Sequence, residues 1–240
     1  MTTQRSPVDP VVLVTGVTGN AGRAVAAAFA AEGFRLGLGG SKRARLQMLA
    51  GELGFADGRW MPAVADFHVR SGATAAVQDV IDRFGRIDVL AHLIGGYAGG
   101  TRVADLDPAD VTALLDPHLW ATLNVVQAVL PGMLQRGWGR IVVISSPFAA
   151  SPVVGGAAYA IAKAAEETLI RTVAKEVAGT GVTANVLLVK KVDPARVRET
   201  EPSPKNAAWT TPEEIAATMR FLCSDAGAAV NGARIPLDGR

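Results

Sequence analysis

Tyr159 and Lys163 stand four residues apart in Ala158-Tyr159-Ala160-Ile161-Ala162-Lys163, a helix-like run, and Ser146 lies thirteen residues upstream at the end of an apolar, strand-like run. On a helix, positions i and i+4 share a face, so a phenol and an ammonium can act at one point. A free tyrosine titrates near pH ~10, which makes it a poor acid-base group at neutral pH. A nearby fixed cation favours the phenolate and brings it toward the working range. A hydroxyl such as Ser146 can then hydrogen-bond the oxygen on which charge develops. A half-buried helix tyrosine beside a solvated lysine would show the same spacing, so the rest of the chain must decide between the two.

The elements that would position these residues alternate along the whole length. Strand-like runs occupy Val11–Thr15, Phe34–Leu38, Trp60–Val64, Ile87–Leu93, Arg140–Ser145, Val182–Val189 and Ala233–Leu237. Helix-like runs occupy Ala21–Glu32, Arg43–Leu53, Gly72–Phe84, Ala157–Ala178 and Pro212–Cys223. A further helix is expected to open at Asp116-Pro117, read as an N-cap followed by proline at the first helical position, and to run to about Gln135. Lys190–Thr210 is proline-rich and reads as a loop or lid. Strands alternating with helices of this length imply right-handed βαβ units and a parallel sheet.

At 240 residues, 49% hydrophobic and only 5% aromatic, the chain suits one α/β domain, with residues 1–10 as a flexible N-terminal segment and 11–240 as the domain. A net charge of +2 with no basic block interleaved with aromatics argues against nucleic acid. Cys223 is the single cysteine, and His68, His92 and His118 are scattered, so neither a disulfide nor a metal site is expected. No apolar run approaches the ~18 residues of a membrane span. Met1–Pro10 lacks the apolar stretch of a signal peptide, so a cytoplasmic location is expected.

The first strand ends in Thr15-Gly16-Val17-Thr18-Gly19-Asn20-Ala21-Gly22, with Gly16, Gly19 and Gly22 spaced by three. In a strand-to-helix turn, positions without side chains let backbone N–H groups approach a pyrophosphate, and the helix dipole favours its charge. Folds that prefer NAD(H) place an acid after the second strand to bind the ribose 2′-OH. Here that place holds Gly39-Gly40-Ser41-Lys42-Arg43. Lys42 and Arg43 suit a 2′-phosphate, which favours NADP(H) over NAD(H), although a solvated helix start would also explain one basic residue.

Taken together, Thr15-Gly-x-x-Gly-x-x-Gly22, Asp66, Ser146 and Tyr159-x-x-x-Lys163 stand in the order and spacing of the short-chain dehydrogenase/reductase family, which the chain resembles from Val11 to Ile235-Pro236-Leu237-Asp238-Gly239. The resemblance implies a Rossmann-type, doubly wound sheet of seven parallel strands with helices on both faces. It implies that Tyr159 is the acid-base residue and that Ser146 holds the carbonyl oxygen. Lys163 would lower the Tyr159 pKa and bind the nicotinamide ribose. Cofactor contacts would come from the glycine turn with Thr18, Asn20 and Ala21, and from Ser41, Lys42 and Arg43. Asp66 and Phe67 would lie at the adenine, and Gly95 and Val192 nearer the nicotinamide. Self-association, as a tetramer or dimer through the two long helices, is also implied.

The chain departs from the family in several places. Asn-Asn-Ala-Gly is His92-Leu93-Ile94-Gly95, with only Gly95 kept. The asparagine of the long helix that follows, which serves the proton relay, aligns with His118. His118 is either a water-bridging or proton-shuttling residue or an ordinary helix residue. Asn124 lies too far along to take that role, and Pro-Gly after the sixth strand is Val189-Lys190. The expected reaction is reversible NADP(H)-dependent reduction of a carbonyl. By position in the family fold, the pocket would be formed by Tyr97, Pro147, Phe148, Val153 and the segment from Pro194 to Trp209, which favours a mainly apolar substrate of small to medium size. Lys190 and Lys191 are either a solvated pair or a greeting for an anionic group. Two other readings remain open: a dinucleotide-binding sensor or partner subunit without turnover, and a dihydropteridine-reductase-like enzyme suggested by Gly95-Gly96-Tyr97-Ala98-Gly99-Gly100.

Overall fold

In a computed structural model, which describes residues 7–238, the chain forms one seven-stranded sheet. The strands are β1 (Val11–Thr15), β2 (Arg35–Gly40), β3 (Trp60–Val64), β4 (Val89–His92), β5 (Gly139–Ser145), β6 (Val182–Leu188) and β7 (Arg234–Pro236). They lie in the order β3-β2-β1-β4-β5-β6-β7, and every pairing is parallel. Burial on both faces explains why the strands read as continuous apolar runs rather than alternating ones, with β1 and β6 buried along their whole lengths.

The helices are α1 (Asn20–Ala31), α2 (Arg43–Glu52), α3 (Arg70–Phe84), α4 (Pro108–Leu115), α5 (Ala121–Arg136), α6 (Ala157–Glu176), α7 (Val197–Thr200) and α8 (Pro212–Cys223). Helices α1, α2 and α8 cover one face of the sheet through Val25, Phe29, Leu46 and Ile215. Helices α3, α5 and α6 cover the other through Val77, Val80, Val125, Met133 and Ile170. Helix α4 packs on α6 through Leu114, Ala158 and Ala162, and the Tyr159 ring joins that smaller cluster.

Two expectations are corrected. Asp116-Pro117 does not open a helix. The helix begins at Pro108, where the Asp107 carboxylate accepts from the Ala109 N–H at 2.8 Å. Asp116–Trp120 is instead a wide, π-type turn that joins α4 to α5. Proline lacks an N–H and crowds the carbonyl one turn back, and a widened turn accommodates both problems. The lid is not all loop either. Asp193 accepts from the N–H groups of Val197 (2.9 Å) and Arg198 (2.8 Å), which starts the short helix α7. Arg198 then donates to Trp209 O (2.6 Å) and Glu214 Oε1 (2.7 Å), tying the lid to α8.

Of the segment expected to be flexible, residues 1–6 lie outside the described residues. Asp9 is held by Arg35 and Arg59 at 3.1 and 2.7 Å. Gly239 of the terminal motif also lies outside them. Among the described residues, no helix is long and apolar enough to cross a membrane.

Candidate active site

The strand order reverses between β1 and β4, so the loops leaving these two strands diverge and open a crevice beyond their carboxyl ends. That crevice has a volume of about 760 Å³. Its floor on one side is the glycine turn. Gly16 has φ +68°, and a Cβ there would lie 2.6 Å from Leu93 O, so only glycine lets the β1 and β4 loops approach this closely. Gly22 is pressed against the Val17 backbone, whose Cα a Cβ would meet at 2.6 Å. Gly19, by contrast, is the N-cap of α1 and makes no side-chain cap, and no acid sits in the first turn. Asn20, Ala21 and Gly22 therefore line the crevice at an uncapped helix N-terminus. Backbone donors without a side-chain partner at the positive end of a helix fit a pyrophosphate.

Several expected cofactor residues stand apart from this crevice. Thr18, Ser41, Lys42 and Arg43 are exposed; the last three form the turn from β2 into α2, whose first turn likewise holds no acid and no side-chain cap. That arrangement fits an anion beside the ribose. Asp66 is exposed and paired with His68 Nδ1 at 2.6 Å. The Phe67 ring lies in the core, not in the crevice, and Asn124 Nδ2 donates to the carbonyls of Phe67 (3.2 Å) and His68 (2.9 Å). Asn124 thus anchors the loop that carries Asp66. Gly95 and Val192 do line the crevice.

On the opposite wall, β5 and α6 bring the chemistry together. Ser146 directly follows β5, and its hydroxyl caps the short turn Pro147–Ala149 by accepting from Phe148 N–H at 3.3 Å. Ser146 stands close to the Tyr159 hydroxyl, although Ser145 rather than Ser146 lines the crevice. Burial is the main influence on Tyr159 and pushes its pKa up to about 12; the Ser146 hydroxyl opposes this, while Glu166 and Tyr97 reinforce it. The expected lowering of this pKa by Lys163 is therefore not met. The reason is visible at the lysine. Lys163 Nζ donates to Ile144 O at 2.8 Å and to Glu166 Oε2 at 2.7 Å, so the ammonium is held on these two oxygens, and burial decides the Tyr159 pKa.

Glu166 is a residue that reasoning from sequence passes over. It is 0% exposed and belongs to a continuous buried set of polar groups. Thr122 Oγ1 lies 3.1 Å from Glu166 Oε1, 2.5 Å from His118 O and 3.0 Å from His92 Nε2. His92 Nδ1 lies 2.8 Å from the Thr15 hydroxyl at the end of β1. Burial, then the charge of Lys163, hold the His92 pKa down at about 3, so this imidazole is neutral. Desolvation raises the Glu166 carboxyl to about 7 against the opposing pull of Lys163. The neighbouring Glu167 accepts instead from Ser145 Oγ at 2.7 Å and from Arg234 Nε at 2.5 Å, which ties α6 to β5 and β7.

His118 is carried on the wide turn into the crevice wall, where it is 1% exposed and edge-on to the Tyr159 ring at 5.6 Å. Its Nε2 meets Gly96 O at 2.9 Å, which makes this nitrogen the donor. Its Nδ1 is buried with no hydrogen-bond partner in the protein. Burial and then Lys163 lower its pKa to about 3. His118 thus lines the crevice as a buried, neutral ring. A Cβ on Gly95 would strike His118 Cε1 at 2.5 Å, so the retained glycine makes room for the histidine.

The crevice mouth is cationic. Lys190, Lys191 and Lys205 line it with Trp209, and Lys191 Nζ sits 3.5 Å from the Trp209 ring centroid. Of the pocket residues expected, Tyr97, Phe148, Lys205 and Trp209 line it; Pro147 and Val153 do not.

Comparison with known proteins agrees with this geometry. A family model described as short chain dehydrogenase matches residues 10–205. A (2S)-((R)-hydroxy(phenyl)methyl)succinyl-CoA dehydrogenase subunit, BbsC, of Thauera aromatica is 34% identical over 92% of this chain and 90% of its own length. A 3-oxoacyl-(acyl-carrier-protein) reductase, FabG, of Thermotoga maritima is 32% identical over 95% of this chain and 96% of its own. The crystal structure of a short chain dehydrogenase from Bacillus anthracis superposes with a TM-score of 0.83 at 25% identity, covering 95% of this chain and 94% of that one. The matched residues run from the glycine turn into the lid, and the chain belongs to the short-chain dehydrogenase/reductase family of NAD(P)-dependent oxidoreductases.

Proposed function

We propose that the protein is an NADP(H)-dependent ketoreductase, reversible as an alcohol dehydrogenase, acting on a mainly apolar carbonyl compound of small to medium size. The observation that carries this reading is Tyr159 beside Lys163 in the crevice wall, with the Ser146 hydroxyl close enough to influence the phenol. It supports a hydroxyl pair gripping one substrate oxygen, with Tyr159 supplying the proton. A pKa of about 12 keeps Tyr159 protonated at neutral pH, ready to donate in the reduction direction. Ser146 donates to the oxygen as charge develops on it. Bound nicotinamide would supply the hydride. The α1 N-terminus would hold its pyrophosphate, and Ser41, Lys42 and Arg43 a 2′-phosphate.

Tyr97, Phe148 and Trp209 give the pocket an apolar body, while Lys190, Lys191 and Lys205 stand at its mouth without an acid among the lining residues. That asymmetry supports a substrate with an apolar reacting end and an anionic far end, such as a thioester carried on a phosphorylated cofactor. The Thauera and Thermotoga relatives both bear names of this kind. Exposed Trp120, Leu134 and Ile161, on or beside the two long helices, support self-association as a tetramer or dimer. A cytoplasmic setting fits this reading.

The test is NADPH oxidation against a panel of ketones and 3-oxoacyl thioesters, with a quinonoid dihydropterin as the competing substrate. Turnover of a ketone or thioester is expected, with a loss of about a thousandfold or more in Tyr159→Phe and retained cofactor binding. Wild-type turnover in Tyr159→Phe sinks the assignment. Tight NADPH binding with no turnover of any substrate would favour a sensor or partner subunit.

A further inference from the structure

Thr122 has one hydroxyl hydrogen and three neighbours that can each accept it: His118 O, Glu166 Oε1 and His92 Nε2. The shortest contact, to the His118 carbonyl at 2.5 Å, takes that hydrogen, because a carbonyl cannot donate in return. The other two neighbours must then donate to Thr122. His92 can do so as the Nε2–H tautomer, with the Thr15 hydroxyl donating to its Nδ1. Glu166 can do so only if its carboxyl carries a proton. In that state every polar atom of the set is satisfied, and Glu166 Oε2 still accepts from Lys163 Nζ.

Resting on the ketoreductase reading, we propose that Glu166 is a built-in proton store for the reaction at Tyr159, acting through Lys163. In carbonyl reduction the Tyr159 O–H bond breaks as an O–H bond forms on the substrate oxygen. The electron pair for the new C–H bond comes from the nicotinamide. A Lys163 N–H bond then breaks as the Tyr159 O–H re-forms, and the Glu166 O–H breaks as the Lys163 N–H re-forms. Glu166 is left as a carboxylate beside a lysine ammonium. Lys163 lines the crevice and returns a solvent proton to Glu166 after turnover. Alcohol oxidation runs the same transfers in reverse.

The groups facing Glu166 are Lys163 and Glu167 on its own helix and Thr122 from α5, with Tyr159 close enough to feel its charge. His92 stands beyond Thr122, and the wide turn presents the His118 carbonyl. Both imidazoles are neutral across the range of interest, so Glu166 is the group of this set whose proton count changes near neutrality.

Glu166→Gln separates a proton store from a merely electrostatic or structural group. The amide has the shape and neutrality of the protonated carboxyl but cannot give up a proton to lysine. The wild type is expected to lose reduction rate as pH rises through about 7, where the store empties. In Glu166→Gln the kcat at pH 6 is expected to fall about tenfold or more, with KM nearly unchanged and the limb near pH 7 gone. A variant as fast as wild type at pH 6 overturns the proposal, because a neutral side chain would then suffice.

The second readout needs no turnover. In cofactor-free protein, the infrared carbonyl band of a protonated carboxylic acid, assigned by its absence in Glu166→Gln, should persist at pH 6 and vanish above about 7. A band already gone at pH 5 overturns the proposal and leaves the ketoreductase reading standing. Wild-type protein inert toward every carbonyl, with a band titrating near 7, sinks that reading and the use of the store in it, while showing that Glu166 holds the proton. Should Glu166→Gln fail to fold, Thr122→Val decides. Loss of the hydroxyl that accepts from the protonated Glu166 should move the limb to lower pH, and an unmoved limb overturns the proposal.

Discussion

The two walls of the crevice are made in opposite ways. The β1–α1 wall is almost free of side chains: Gly16, Gly19 and Gly22 present backbone, and an uncapped helix end provides the polarity. The opposite wall is backed by buried side chains, with Thr15 at the end of β1, His92 on β4, Thr122 on α5, and Glu166 and Lys163 on α6 joined in one hydrogen-bonded series. A wall of backbone has its chemistry fixed by geometry and does not titrate. A wall of buried acids and imidazoles has its chemistry set by which groups hold protons, so it responds to pH and to single substitutions elsewhere in the series.

The comparison can be broken most forcefully on the backbone wall. Gly22→Val places side-chain atoms against the Val17 backbone. Overpacking there should cost about 1–3 kcal/mol of stability, and the displaced turn should abolish the rise in melting temperature that NADPH gives. A Gly22→Val protein stabilised by NADPH as fully as wild type would mean that this wall tolerates side chains after all.

A smaller effect sharpens the edge of the same wall. Removing both cations in Lys42→Ala/Arg43→Ala should weaken NADPH binding by about 10–100-fold, the range for losing charge-assisted hydrogen bonds, and leave NADH unchanged. Calorimetric titration with the two cofactors measures this directly. Equal weakening of both would assign Lys42 and Arg43 no part in cofactor choice.

The smallest effect belongs to the titrating wall. The folded-state pKa values of His92 and His118 are depressed from 6.5 to about 3. The unfolded chain therefore binds more protons between these values. The stability is complete above pH 6.5 and is lost as pH falls toward 3, at about 1 kcal/mol per pH unit for each histidine. His118→Asn should remove one share, so that between pH 6 and 5 the variant loses about 1 kcal/mol less than wild type. Chemical denaturation at the two pH values is the measurement, and equal losses would show that His118 is free to charge in the folded state.

The contrast also governs what could be read from the sequence. Trp60–Val64 and Pro212–Cys223 are visible as a strand and a helix, and the structure has them at those bounds. The glycine wall is legible because spacing alone encodes it. The helix start at Asp116-Pro117 is misread because Asp107-Pro108 carries the same signature one element earlier, and local capping chemistry cannot rank the two. Glu166 goes unnoticed because an acidic pair in mid-helix looks solvated. Its burial depends on Thr122, 44 positions away in the chain, closing over it. One signal does point to it: Glu166 falls three residues after Lys163, on the same helical face, within an alanine-rich stretch that suits a buried contact.

The wide turn at Asp116–Trp120 has a consequence for how the chain tolerates insertions and deletions. Helix α4 packs against α6 while α5 packs against α3, so the two halves of one long rod answer to different neighbours. Each helical residue advances the rod by about 100°, and a π-type turn takes up one residue more than an α turn. The segment therefore acts as a phase adjuster between two independently seated helices. Deleting one residue within it would rotate α4 against α5 by about a quarter-turn, swinging His118 off the crevice while leaving the amino-acid composition of the site intact.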